Sequence, residues 1–450
     1  MTNVYVMRDY DWRADIVLRS GPRAEDEGRV RVNFEDLEKN VSSLQRDLGY
    51  VAAGFFECEE LQNNRREITF NQQSWVRFLV SSAPVWRKRQ IADVLGQIFS
   101  FATKSSLRPR FDRLLPISES KGISAARSIS LFSGGVDSLC GMLSIPDGLK
   151  PTAGIFVSHS MMRGVVDNIK SFLSGTPFYT ISIQQNMTEI QQLRGFLYLC
   201  FGAIVAKLAG TNSIIISETG PTMYQPQYLP TDLVTVTTNP FLVELTKQLV
   251  EQVLDFKLQI YEPFENMTKA EAMAICPQKL LIQKTNSCIM SRFSRDEFPQ
   301  CGRCLGCVIR RLSAIVANVD DSRHAWDVAV MDVGDHIEAV RSPNRSRITE
   351  RDNGNLLLLL RFARGMMTGS LPPCTVSIIH DYQKEELFRR FALDILAAVH
   401  LLSTRTRNRY LKKFNVEMYR DSVVTKDQLV DRIAQIREAR IKPNFDPRFT

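Results

Sequence analysis

The chain has 450 residues, of which 44% are hydrophobic and 24% charged, an ordinary globular composition and enough length for two or three domains. It carries a net charge of +8, and no run of 18 apolar residues argues for a membrane-spanning helix. The start, Met1 to Asp11, holds acids and no apolar core, so it is not expected to be a signal peptide, and nine cysteines are too few for a disulfide scaffold. A soluble, cytoplasmic protein is expected.

Residues 1–122 read as a mixed α/β extension. Arg29–Phe34 and Glu67–Asn71 have strand character. Val85–Thr103 predicts a helix, with Trp86, Ile91, Val94, Leu95, Ile98 and Phe99 as its apolar stripe. Arg108–Gly122, rich in charge, Pro and Ser, reads as a linker.

Residues 123–320 alternate strand and helix. Ser128–Phe132, Thr152–Ser158, Tyr179–Ile183, Asn212–Ser217 and Phe256–Tyr261 predict five strands, and a long apolar helix runs from Thr188 to Leu208. This pattern predicts a doubly wound, parallel five-stranded sheet with helices on both faces. Ligands of such folds sit at the carboxyl ends of the strands, at the switch point.

The first strand leads into Ser133-Gly134-Gly135-Val136-Asp137-Ser138, with a helix expected from Val136. Glycines let successive backbone N–H groups converge, and a helix start adds partial positive charge, so the segment is a candidate anion site. Asp137 offers a hard oxygen for Mg²⁺, and Ser133 and Ser138 offer hydroxyls. The Walker spacing is absent, so this is a different phosphate cradle.

Farther on, Cys288 precedes Cys301-Gly-Arg-Cys304-Leu-Gly-Cys307. Four thiols so spaced can close a tetrahedral Zn²⁺ site with no open position, hence a structural one. An iron–sulfur cluster would use the same ligands. Cys58, Cys140, Cys200, Cys276 and Cys374 read as ordinary buried residues.

Residues 321–450 are expected to be mostly helical and basic, with amphipathic stretches at Leu387–Leu402 and Leu429–Ala439, after Val308–Val319 just before, and a polar loop at Asp335–Gly354. The last fifty residues hold twelve Lys/Arg against six Asp/Glu, densest at Arg405, Arg407, Arg409, Lys412 and Lys413. They form either a solvated helical face or a contact for nucleic acid or an acidic partner.

The glycine loop resembles the PP-loop of ATPases that split ATP into AMP and pyrophosphate. Together with the cysteine cluster it resembles QueC, the 7-cyano-7-deazaguanine synthase family, over residues 125–315. Thr285-Asn-Ser-Cys288 is similar to that family's first zinc-ligand segment, and Pro263 to Ala272, containing Lys269, to its Pro-…-Lys-x-Glu segment. Arg194 stands where the family has an Arg-Asn pair. The family's Ser-Gly-Tyr-Pro-Asp-Cys-Arg stretch is replaced by Ser217-Glu-Thr-Gly220-Pro-Thr-Met-Tyr224. The extended length resembles the QatC group of QueC-like proteins from bacterial antiphage defence operons, the Qat system.

The resemblance implies an ATP-dependent carbon–nitrogen ligase that adenylates the carboxylate of a 7-deazaguanine-type substrate for capture by ammonia or a protein amine. It also implies a QatB-like partner. Ser133, Gly134, Gly135, Val136 and Ser138 would hold phosphates and Asp137 the Mg²⁺. Lys269 would stabilise the departing pyrophosphate. Arg194 would neutralise a phosphate or the substrate carboxylate, a structural ion pair being the alternative. Glu218 would bind a guanine-like edge, with Tyr224 and Tyr228 as candidate stacking rings. His159 reads as a packing residue. Arg310 and Arg311 are expected to anchor the metal knuckle or reach acidic partners. Other readings are a PP-loop enzyme modifying tRNA and a nucleotide-dependent scaffold subunit.

Overall fold

The computed structural model describes residues 3–7, 16–21, 31–34, 37, 39–64, 75–113, 121–145, 151–158, 163–173, 175–184, 192–224, 236–288, 300–324, 327, 354–371, 373–402 and 424–438. Its strands are β1 (Asn3–Met7), β2 (Ile16–Gly21), β3 (Arg31–Asn33), β4 (Trp75–Val80), β5 (Arg108–Arg113), β6 (Ile129–Leu131), β7 (Ala153–Ser158), β8 (Phe178–Gln184), β9 (Ser213–Ile215) and β10 (Gln259–Tyr261). The helices are α1 (Ser43–Asn64), α2 (Ala83–Trp86), α3 (Arg89–Thr103), α4 (Val136–Ser144), α5 (Arg163–Lys170), α6 (Arg194–Leu208), α7 (Gly220–Met223), α8 (Pro240–Leu254), α9 (Lys269–Ile275) and α10 (Leu305–Ala317). Four more follow: α11 (Gly354–Thr368), α12 (Pro373–Asp381), α13 (Glu385–Leu401) and α14 (Lys426–Arg437).

The larger sheet has the order β10-β9-β6-β7-β8-β3. Its first five strands are mutually parallel, as the alternation of strand and helix predicts. A sixth comes from the N-terminal region, where β3 pairs antiparallel with β8 (Val32 opposite Ile183). The chain runs outward from β6 through β7 to β8, then crosses back to β9 and β10. That reversal puts the switch point between β6 and β9.

Side chains alternate across the sheet. Ile155 and Val157 of β7 enter one apolar core, and Phe156 enters the other. The first core is shared by α1, α3, α6 and α8 with the sheet. Helix α6, Arg-Gly-Phe-Leu-Tyr-Leu-Cys-Phe-Gly-Ala-Ile-Val-Ala-Lys-Leu, is apolar on nearly every side and is correspondingly buried on nearly every side. Phe34 wedges against it, stacking edge-on to Phe201, and a Cβ at Gly49 would come within 2.7 Å of Phe34. The N-terminal region therefore shares its core with the sheet. The second core joins α4, α9 and α10 to α11, α13 and α14, so the C-terminal helices pack on the opposite face.

Several expectations need correction. Arg108–Arg113 is strand β5, not linker, and pairs parallel with β4 in a four-stranded sheet of order β1-β2-β4-β5. Its charges conceal a period of two. Phe111 is buried against Phe78 and Trp86, while Arg108 and Arg110 stack over Trp75. The helix expected over Val85–Thr103 is two helices, because Lys88 is extended (φ −60°, ψ 129°) between α2 and α3. Glu67–Asn71, His159, Tyr228, the Asp335–Gly354 loop apart from its last residue, and the basic cluster from Arg405 to Lys413 lie outside the described residues.

Candidate functional site

Strand β6 is followed by buried Phe132, and the chain then turns through Ser133 and Gly134. Gly134 has φ 79°, a conformation only glycine adopts without strain. Gly135 is the extended N-cap of α4, and no side chain caps it. Ser138 Oγ donates to the Gly135 carbonyl at 2.9 Å, and the Ser133 and Ser138 hydroxyls lie 3.4 Å apart. The expected turn and helix start are present, with both hydroxyls at the lip of the turn.

Asp137 sits in the first turn of α4 and is 6% exposed. Its Oδ2 accepts from Lys269 Nζ, across 132 residues of sequence. Its Oδ1 is buried without a hydrogen-bond partner. A buried carboxylate oxygen with no donor close to it, beside a glycine turn at a helix start, is the kind of donor a hard cation takes. Lys269 is 8% exposed and begins α9. Thr268 and Glu271 form a capping box there: Thr268 Oγ1 accepts from Glu271 N at 3.3 Å, and Glu271 Oε2 accepts from Thr268 N at 2.9 Å.

A cleft opens at the switch point between β6 and β9. Ser133, Ser138, Arg194, Ser217, Glu218, Thr237 and Thr238 supply its polar lining, and Leu131, Phe196, Leu199, Ile216, Leu242 and Val243 its apolar walls. As the side chains stand, about 50 Å³ within it is open to a water-sized molecule. Arg194 is exposed at the first position of α6. Gly195, next to it, lets the helix meet the neighbouring chain, since a Cβ there would fall 1.4 Å from the Thr237 carbonyl oxygen. Burial pushes Glu218 up to about 7, with the Asp137 charge adding to the rise and Lys269 and Arg194 opposing it. Two carboxylates and two cations thus share one electrostatic environment. The structure brings Ser133, Ser138, Asp137, Lys269, Arg194 and Glu218 together.

Tyr224 is elsewhere. It is 4% exposed, donates to the Glu265 carboxylate and packs on Tyr382 at 4.8 Å. It is a packed residue and not a free stacking ring.

Cys288, Cys301, Cys304 and Cys307 converge, with all four Sγ atoms within 4.8 Å of one another. Cys301 and Cys307 Sγ are 3.9 Å apart, close to the roughly 3.8 Å edge of a tetrahedron of sulfurs about 2.3 Å from zinc. The four thiols form a cluster able to hold a metal ion such as zinc. Backbone N–H groups of Arg303 and Cys304 donate to Cys301 Sγ at 3.4 Å, which favours the thiolate.

The cluster is stitched to the glycine turn. Asn286 N donates to the Gly134 carbonyl at 3.0 Å, and Val136 N to Ser287 Oγ at 3.4 Å. Arg310, fully buried, donates to Ile282 O, Thr285 O and Oγ1, Ser287 Oγ and both Asp321 oxygens. Against the upward push of burial, its guanidinium holds Asp321 well below the usual carboxylate range. Arg311 makes a two-pronged pair with Asp327 at 2.7 Å. Arg310 therefore anchors the knuckle, whereas Arg311 ties α10 to Asp327 beyond it. Sequence reasoning missed Asp321, His324 and Gln300, whose Nε2 donates to Thr285 O at 2.8 Å. Gln300 directly precedes Cys301, a position that could have flagged it.

No family model matches this sequence, and a search of curated proteins finds none similar to it.

Proposed function

We propose that this chain is a QueC-like PP-loop enzyme of the antiphage-defence type, similar to QatC, that splits ATP into AMP and pyrophosphate to adenylate the carboxylate of a 7-deazaguanine-type substrate. A carboxylate is a poor acyl donor because oxide is its leaving group. Attack of its oxygen on the α-phosphorus expels pyrophosphate, and an amine then captures the acyl group with release of AMP. The observation that supports this reading is a switch-point cleft lined by Ser133, Ser138, Arg194 and Glu218, with the Asp137–Lys269 pair beside it and both charges felt by Glu218.

Each residue has a role its surroundings suit. The glycine turn and the two serine hydroxyls bind phosphate oxygens. Asp137, through its free Oδ1, would hold Mg²⁺, which supplies charge neutralisation on the phosphates. Lys269 lies within reach of the same anions and stabilises negative charge on the departing pyrophosphate. Arg194 faces the open mouth and orients the substrate carboxylate. Glu218 accepts hydrogen bonds from the N–H edge of the base. The four cysteines would hold zinc by all four thiolates, a structural role, and so would secure the Asn286–Ser287 brace under the turn. The acyl acceptor is an amine, of ammonia or of a QatB-like protein partner.

The test is incubation of the purified chain with ATP, Mg²⁺ and a 7-carboxy-7-deazaguanine, with and without the operon partner. AMP and pyrophosphate are expected, with the mass of the base added to the acceptor. Formation of ADP, or AMP release that depends on RNA and not on the base, would overturn the reading.

A further inference from the structure

The last helices of the chain grip the turn that carries Lys269. Glu271, at the third position of α9, is wholly buried, and its Oε1 accepts from Arg390 Nη1 of α13 and Arg432 Nη2 of α14. The other oxygen, Oε2, closes the capping box on Thr268. Arg390 also donates to the Asn266 carbonyl at 2.7 Å, and Arg432 Nε to Asp394 at 2.7 Å. One turn earlier Lys384 donates to Glu265 and Asn266, both at 2.7 Å. Residues 265–271 are therefore held by three cations from residues 384–432.

Buried charges of this kind carry large desolvation costs and are poor sources of net stability. A hydrophobic contact between α9 and α14 would hold the helices together at lower cost. What the charges add is direction. Glu271 has one oxygen committed to the helix cap and the other to two guanidinium groups, so the cap cannot rotate without leaving a buried charge unpaired. Lys269 starts that helix, and its ammonium is aimed at Asp137.

We infer that Arg390 and Arg432 are positioning residues of the phosphate site, acting through Glu271 and the α9 cap to hold Lys269 against Asp137. This rests on the proposed role of Lys269 and makes the C-terminal helices part of the catalytic centre.

Arg390 is the accessible member, 23% exposed against 3% for Arg432. The full-length Arg390→Gln variant should release AMP about 10- to 100-fold more slowly at saturating ATP, the cost of misplacing one catalytic group by about 1 Å. Its KM for ATP should change less than about threefold, because the glycine turn is untouched. Arg390→Lys should recover part of the rate. A second readout needs no turnover: acetylation of Lys269 by an amine-specific reagent, followed by peptide mass spectrometry, should be about fivefold faster in Arg390→Gln, with Lys121 on the surface unchanged. If Arg390→Gln does not fold, Arg432→Lys is read by the same two assays. Wild-type turnover together with wild-type Lys269 labelling overturns the inference. A wild-type chain that makes no AMP defeats the proposed function instead, and the labelling result still decides whether the clamp holds Lys269.

Discussion

Replacing Lys269 by Met keeps the side chain's bulk and deletes its charge. Asp137 would then stand 6% exposed with no cation on Oδ2 and no partner on Oδ1. Removing one member of a buried ion pair costs about 3–5 kcal/mol. Glu218 already titrates near 7 beside Asp137, and Lys269 is one of the groups holding it down. Loss of Lys269 removes a group that opposes the rise of Glu218, so Glu218 holds its proton to higher pH in the variant, which is nearly stable in acid and loses stability as pH rises. Urea melts of the apo chain should show a deficit near 1 kcal/mol at pH 5.5, growing to about 3 kcal/mol at pH 8. AMP release at pH 7.5 should fall about 10²- to 10³-fold, the usual loss for one donor to a developing anion. In a double-mutant cycle with Asp137→Asn the two stability losses should overlap by at least about 2 kcal/mol. Additive losses, or Lys269→Met turnover within threefold of wild type, would refute the pairing and the catalytic role respectively.

Three further outcomes follow from other contacts. Cys304→Ser should abolish binding of zinc by elemental analysis and, because Asn286 and Ser287 brace the glycine turn, raise the KM for ATP more than it lowers kcat. Asp47, 1% exposed, accepts from Ser81 N and Ser82 N, and burial pushes it up to about 6. A raised carboxyl stabilises the fold when protonated, so its contribution is lost as pH rises from 3.8 to 6; Asp47→Asn should flatten the pH dependence of the unfolding free energy by about 3 kcal/mol across that window. Gly195→Ala would drive a Cβ into the Thr237 carbonyl, so it should cost about 2 kcal/mol or more in melts and weaken substrate binding at the cleft.

The central sheet was legible because its signals are local. Apolar runs such as Ile214-Ile215-Ile216 have no exposed face to disguise them, and the Ser-Gly-Gly turn is written in consecutive residues. The cysteine cluster was legible by spacing, since three of its four members span seven positions. Strand β5 was not: Arg108, Arg110 and Asp112 alternate with Pro109 and Phe111, so the buried face shows only one large apolar residue. The N-terminal strand β3 gave a short apolar signal, but its partner β8 lies about 150 residues away, and nothing local announces an antiparallel edge. Arg390 and Arg432 drew no notice within their amphipathic stretches, because pairing with a buried glutamate 119 and 161 residues upstream leaves no mark on periodicity.

Those distant pairings decide how the two ends of the chain relate to the cleft. The N-terminal region packs α1 and α3 against α6 and α8, the helices that bear Arg194 and line the cleft. The C-terminal helices pack on the other face and hold α9, which bears Lys269. One terminal region thus supports the turn that bears Arg194, and the other supports the turn that bears Lys269. The parallel sheet alone would leave the first turns of α6 and α9 anchored at one side only. Enclosing each with a separate buried core fixes the spacing between Arg194 and Lys269, and under the proposed function that spacing would set how far a carboxylate sits from the phosphorus it attacks.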